Sequence, residues 1–347
     1  MMRPLTGYFF EDYRVGQAFV HATPRTITQG DVALYQALTG SRNPLHCSEP
    51  FAQSLGYPAM PVDDLLVFHI AFGKSVPDIS YNAVANLGYA DCRFLQPVYI
   101  GDTIRAETEI IGLRQNSSGK TGVVYVRSNA FNQRAECVLT WVRWVMVNRK
   151  IAATGPGGEL RGIGEFPALV EETKLVTPGF LRAAANISHD TGGNCLLDDY
   201  QINESIVHPS GITIDETDHT LATKLYQNTA RVHFDLHHMK DSRFGRRLVY
   251  GGQVISICRA ISYDGLENAL SILAINGGTH HQPTFAGDTI YAVTVPLMKW
   301  PIGNNFGALR VQLIGYKNID PNSDKFKSVT EDAKVLTLDY TVLIPRR

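Results

Sequence analysis

Two stretches in each half of the chain carry apolar residues at helical spacing. Gln29 to Leu38 and Glu216 to Leu225 mix polar and apolar positions, while Asp63 to Phe72 and Gly251 to Ser262 predict longer and more apolar helices. Elsewhere the period falls to two. Thr121-Gly-Val-Val-Tyr-Val-Arg and Leu139-Thr-Trp-Val-Arg-Trp-Val-Met-Val are rich in β-branched and aromatic residues and predict strands. Helices that precede a run of antiparallel strands argue an α+β fold with a long apolar helix packed on one curved sheet.

The pattern is written twice. Asp12-Tyr13 recurs as Asp199-Tyr200, Val20-His21 as Val207-His208, and His46 as His233, each displaced by 187 positions. Pro97-x-x-x-Gly101-Asp102-Thr103-Ile104 returns as Pro283-x-x-x-Gly287-Asp288-Thr289-Ile290, and Val138-Leu139-Thr140 as Val335-Leu336-Thr337. In each Gly-Asp-Thr the glycine supplies positive φ for a tight turn and the aspartate bonds nearby backbone. The extra residues of the second copy fall between Tyr316 and Lys327, where a longer hairpin is expected. A duplicated unit follows: one domain over 1–150, a second over 195–347, and a linker over 151–194 containing Gly155-Pro156-Gly157-Gly158.

The 347 residues suit two such domains, and their composition narrows the class. With 32 Lys+Arg against 33 Asp+Glu, bulk charge points to neither nucleic acid nor an anionic membrane as partner. Charged residues make up 19% against about 25% in an average domain, which implies extensive burial and self-association. The opening segment reaches Glu11 and Asp12 before an apolar run develops, so no signal peptide is expected, and no stretch approaches a membrane span. The five cysteines are scattered without a C-x-x-C pair, which fits reduced thiols in a cytoplasmic protein.

The chemistry sits around the repeated histidine. The first half reads Gly40-Ser41-Arg42-Asn43-Pro44-Leu45-His46, the second Gln227-Asn228-Thr229-Ala230-Arg231-Val232-His233-Phe234-Asp235. These segments resemble the Gly-Asp-x-Asn-Pro-x-His motif of the MaoC-like, or hydratase-2, family. Ser41 replaces the family aspartate in the first half, and Asn228 stands there in the second. Val249-Tyr250-Gly251-Gly252 is similar to the family's Val-His-Gly segment at the start of its central helix, while the first half has Met60-Pro61-Val62-Asp63-Asp64, with two carboxylates in place of the glycines.

The resemblance implies a double hotdog, two copies of a helix wrapped by an antiparallel sheet, with the site between them. It implies reversible hydration of an enoyl-CoA thioester, with a branched C5 dicarboxylic acyl group such as mesaconyl-CoA as the expected substrate. Asn228 would position water and His233 act as base, while Tyr250, Gly251 and Gly252 form the wall that binds the thioester oxygen. No metal or other cofactor is expected, the CoA being part of the substrate, and a homodimer is the family habit. An isolated loop histidine usually bonds the backbone, and that is the expectation for His46. Arg42, Arg231 and Arg247 are candidate receptors for a substrate carboxylate. Arg231 is preferred, because in an extended loop it shares a face with His233. The i, i+4 spacing of His233 and His237 imitates a helical metal site, but no Glu or Cys pattern completes it. A hotdog thioesterase, a dehydratase of other chain specificity and a non-catalytic acyl-CoA-binding module remain open alternatives.

Overall fold

The computed structural model describes residues 4, 6–152, 157–162, 166–183 and 187–347, and the side chains of all of these but 327–330. The first half begins with β1 (Ala18–Val20), β2 (Arg25–Thr26), α1 (Gln29–Thr39), α2 (Pro44–Cys47), α3 (Glu49–Ser54) and α4 (Asp64–Ser75). Its long strands follow: β3 (Ala83–Phe94), β4 (Thr103–Gln115), β5 (Thr121–Phe131) and β6 (Cys137–Asn148). After β7 (Arg161–Gly162) and α5 (Ile187–Thr191), the order repeats with β8 (Ile206–Val207), β9 (Ile212–Thr213), α6 (Glu216–Leu225), α7 (Arg231–Phe234), α8 (Leu236–Met239) and α9 (Gly251–Ile261). Then come β10 (Ile272–His280), β11 (Thr289–Ile302), β12 (Phe306–Lys317), α10 (Phe326–Ala333) and β13 (Lys334–Pro345).

The strands form one sheet, ordered β1-β4-β5-β6-β3-β10-β13-β12-β11-β8 along its main path. The halves meet where β3 and β10 pair antiparallel, Cys92 opposite Ile275 and Tyr89 opposite Gly278. Within the wrap, α4 is buried from Leu65 to Ser75, and α9 buries all but Gly251 and Arg259. Neither helix can present a polar face to water there, which is why both are apolar almost all round. Some of the polar groups inside are paired across the halves: Tyr35 Oη and Ser256 Oγ lie 3.0 Å apart, and Gln253 donates to the Leu38 carbonyl at 2.9 Å. Gly73 lets α4 pass against the Tyr226 carbonyl, where a Cβ would overlap it.

Repeated residues make repeated bonds. His21 Nε2 meets Thr108 Oγ1 at 2.7 Å, and His208 Nε2 meets Thr294 Oγ1 at 2.8 Å. Gly101 and Gly287 take φ of 95° and 94°, and Asp102 and Asp288 accept the amides of Tyr99 and Phe285. Described residues of the tract from 151 to 194 pack on both halves: Gly162 pairs with Gly112, and Tyr263 donates to the Thr191 carbonyl. Gly155 and Pro156 lie outside the described residues. The extra residues of the second half lengthen the connection of the β12–β13 hairpin, as expected, and fold into α10, whose Phe326 packs edge-on against Tyr316 with ring centres 4.8 Å apart. That apolar contact gives the insertion an anchor of its own.

Candidate active site

The two histidines sit on short helical turns rather than in extended loops. Asn43 caps α2 by accepting the Leu45 amide at 3.1 Å, and Pro44 at the first helical position favours the turn. In the second half, Asn228 Oδ1 accepts the Ala230 amide at 3.2 Å ahead of α7. Each histidine then reaches a carbonyl fifteen residues on: His46 Nδ1 meets the Pro61 oxygen at 3.1 Å, and His233 Nδ1 the Leu248 oxygen at 2.9 Å. A carbonyl only accepts, so Nδ1 carries the proton in both rings, which in a neutral His233 leaves the lone pair on Nε2. Burial, helped by nearby His219, pulls His233 down to about 4 and keeps it neutral near pH 7.

His233 lines a cavity of about 150 Å³ whose walls come from both halves. The second half supplies Asn228, His233, Tyr250, Gly251 and His280; the first supplies Phe72, Asn86, Tyr89 and Arg143. The Tyr250 ring lies 5.7 Å from that of His233. Tyr250 offers α9 no side-chain cap, so the positive end of that helix faces the cavity at Gly251 without a capping carboxylate. A Cβ on Gly251 would fall 2.5 Å from His280 Cε1, so glycine there admits the imidazole to the helix end. Burial also lowers His280 to about 4, with His281 and His233 adding to the effect. Gly252 is not in the cavity wall; a Cβ there would overlap the Tyr250 ring and come 2.6 Å from His69.

The matching place in the first half is filled by its own carboxylates. The histidine-to-carbonyl bonds set Asp63 opposite Tyr250 and Asp64 opposite Gly251, one residue away from a direct replacement of both glycines. Asp63 caps α4 by accepting the Leu65 amide at 2.9 Å, and Asp64 accepts the Ile272 amide at 2.7 Å. Burial raises Asp64 to about 6. The two spaces that His46 lines are about 20 and 30 Å³, each too little for an acyl group.

The loop arginines turn elsewhere. Because residues 231 to 234 form a helical turn, side chains two apart diverge, which corrects the expectation that Arg231 and His233 share a face. Arg231 stacks over the Tyr81 ring at 4.7 Å and donates to its hydroxyl at 3.2 Å, and it is not in the cavity wall. Arg247 pairs with Glu216, and Arg42 pairs with Asp264 at 2.6 Å. His233 and His237 stand on separate turns, α7 and α8, so the i, i+4 spacing does not bring them together. Arg143, which the motif-led reading passed over, is the arginine in the wall. Its signal was present: Leu139, Trp141, Val145 and Val147 define the inner face of β6 by alternation, and Arg143 falls on that face.

A family model for the MaoC like domain matches residues 11–131. A beta-methylmalyl-CoA dehydratase of Chloroflexus aurantiacus is 54% identical, covering 98% of each chain. A mesaconyl-CoA hydratase of Cereibacter sphaeroides is 46% identical, covering 99% of this chain and 100% of that one. Among solved structures, a putative MaoC domain protein dehydratase from Chloroflexus aurantiacus superposes with a TM-score of 0.93 at 53% identity over the full length of both chains. A Mycobacterium tuberculosis protein with a double hotdog fold gives 0.79 at 23%, covering 99% of this chain and 100% of its own. Among the described residues no helix is long and apolar enough to cross a membrane. Identity of this order from end to end, on the same double hotdog, means that the chain belongs to the MaoC-like dehydratase family.

Proposed function

We propose that the protein hydrates mesaconyl-CoA reversibly to β-methylmalyl-CoA in the cavity between its halves. The observation that carries this is a neutral His233 that lines one cavity together with an asparagine and the uncapped start of a central helix. Asn228 spends Oδ1 on the Ala230 amide and has its Nδ2 hydrogens left to hold a water. His233 Nε2 takes a proton from that water as its oxygen attacks the β-carbon, and returns it to the α-carbon; dehydration reverses both steps. The Gly251 N–H, at the positive end of α9, holds the thioester oxygen as charge develops there, while Gly252 keeps the turn close against Tyr250 and His69.

The thioester itself acidifies the α-position, so the mechanism calls on no cofactor. In this proposal residues 195–347 carry the proton chemistry and residues 1–150 the opposite wall, with 151–194 linking them. Homodimerisation and a cytoplasmic location belong to the same proposal, tested by light scattering and by cell fractionation. The deciding experiment is incubation with a panel of enoyl-CoA esters, following loss of enoyl-thioester absorbance and product mass. A gain of one water with the thioester intact is expected. Release of free CoA would make the protein a thioesterase instead, and binding without turnover would make it an acyl-CoA-binding module.

A further inference from the structure

The first-half end of the cavity holds polar groups that the protein leaves unsatisfied. Arg143 is fully buried, and among the described residues only its Nη2 finds an acceptor, Ser75 Oγ at 3.0 Å. Its Nε and Nη1 are buried without a partner, as are Ser80 Oγ and both amide atoms of Asn86. All three residues line the same cavity. Buried polar atoms in native proteins are nearly always bonded, so such a cluster around one empty space marks the place of a ligand group.

The chemistry of the cluster selects that group. The guanidinium carbon lies 4.2 Å from the Phe72 ring centre, and the titratable groups that act on it are Tyr89, Tyr250 and Tyr13 rather than carboxylates. Burial lowers Arg143 only to about 10, so at neutral pH it is a cation, with no carboxylate partner among the described residues. An anion that accepts from Nε and Nη1 and also bonds a hydroxyl and an amide completes the set. The aromatic wall runs from His233 to Tyr250, ring centres 5.7 Å apart, then to Phe72 at 5.7 Å, with Arg143 over Phe72. A cavity of about 150 Å³ admits a short acyl group.

We propose that Arg143, with Asn86 and Ser80, binds a carboxylate at the far end of the substrate's acyl group and so sets specificity for dicarboxylic acyl-CoA esters. This deepens the hydratase reading above and rests on it for the identity of the site. It also assigns the first half a task its own histidine does not perform.

Binding of two saturated esters, succinyl-CoA and butyryl-CoA, tests the carboxylate receptor without turnover. Calorimetry on the intact protein should show succinyl-CoA bound at least tenfold more tightly, with the preference abolished in Arg143→Met and partly kept in Arg143→Lys. Equal binding of the two esters by the unaltered protein overturns the proposal, even if no variant folds. So does a preference that survives Arg143→Met. In parallel, kcat/KM of Arg143→Met should fall at least 100-fold on mesaconyl-CoA and change less than threefold on crotonyl-CoA; equal losses on both substrates would mark Arg143 as structural and also overturn it. Failure of the hydratase reading would show differently, as absence of water addition to any enoyl-CoA alongside an intact succinyl-CoA preference.

Discussion

His46 and His233 make the same bond to a carbonyl fifteen residues away, and what separates them is what stands in front of Nε2. Before His46 there is a space of about 20 Å³ bordered by Asp63 and Asp64; before His233 there is the shared cavity. His233→Ala should therefore abolish hydration while His46→Ala leaves most of kcat, and equal losses in steady-state assays would refute the asymmetry. With His233 held to about 4, protonation removes its lone pair only in acid, so activity should fall as pH is lowered through that region. An acidic limb centred at the ordinary histidine value near 6.5 in the kcat/KM profile, which reports the free enzyme, would count against it. Asn228→Ala should cost on the order of 10²-fold in kcat. Asn228→Asp retains an acceptor for the Ala230 amide and adds an ionisation, so retained activity with a second limb would separate water-holding from capping.

At the level of elements, the two central helices differ at their N-termini and touch where a side chain would not fit. Asp63 caps α4, whereas α9 opens on Tyr250 and two glycines without a side-chain cap. Capping normally adds about 1 kcal/mol to stability, so α9 forgoes that contribution and keeps its terminus available to an anion. Gly73 on α4 shows the opposite economy. Alanine is intrinsically better in a helix by about 1 kcal/mol, but its methyl would overlap the Tyr226 carbonyl. Overpacking against backbone outweighs propensity, so Gly73→Ala should lower unfolding free energy by roughly 1–3 kcal/mol in denaturant titrations. A stabilised variant would mean that the helices can move apart freely.

For the whole molecule, the shared core has a consequence for acid stability. His69, His233 and His280 are held to about 3, 4 and 4, each chiefly by burial. In the unfolded chain they titrate at 6.5, so between these values unfolding takes up protons. Their contribution is complete above pH 6.5 and is lost as pH falls from 6.5 toward 4, each steepening the loss by up to about 1.4 kcal/mol per pH unit. Tm should drop clearly between pH 7 and pH 5, and by less in His69→Gln; a flat profile would contradict the buried neutral state. Because the continuous sheet crosses at β3 and β10 and the cavity wall needs both halves, separately expressed halves should show no hydration.

The local facts were legible along the chain. Periodicity found α1, α4, α6 and α9 to within a few residues, the repeat found the two histidines and their glycine turns, and the motif led to Asn228, His233 and Gly251. These depend on neighbours close in sequence, where hydrophobic period and turn chemistry act directly. Three features came only with the tertiary structure. The path between Ala230 and Asp235 is helical, because Leu248 and the cavity hold His233 inward, and this turned Arg231 away to Tyr81. The extra residues near 320 became α10, because Phe326 found Tyr316. And Arg143, one charge in an apolar strand of the first half, took on meaning when β3, β6 and α4 brought it into the same cavity as His233 of the second half, since burial and the lack of a carboxylate partner among the described residues are properties of the folded neighbourhood and leave no mark on residue order.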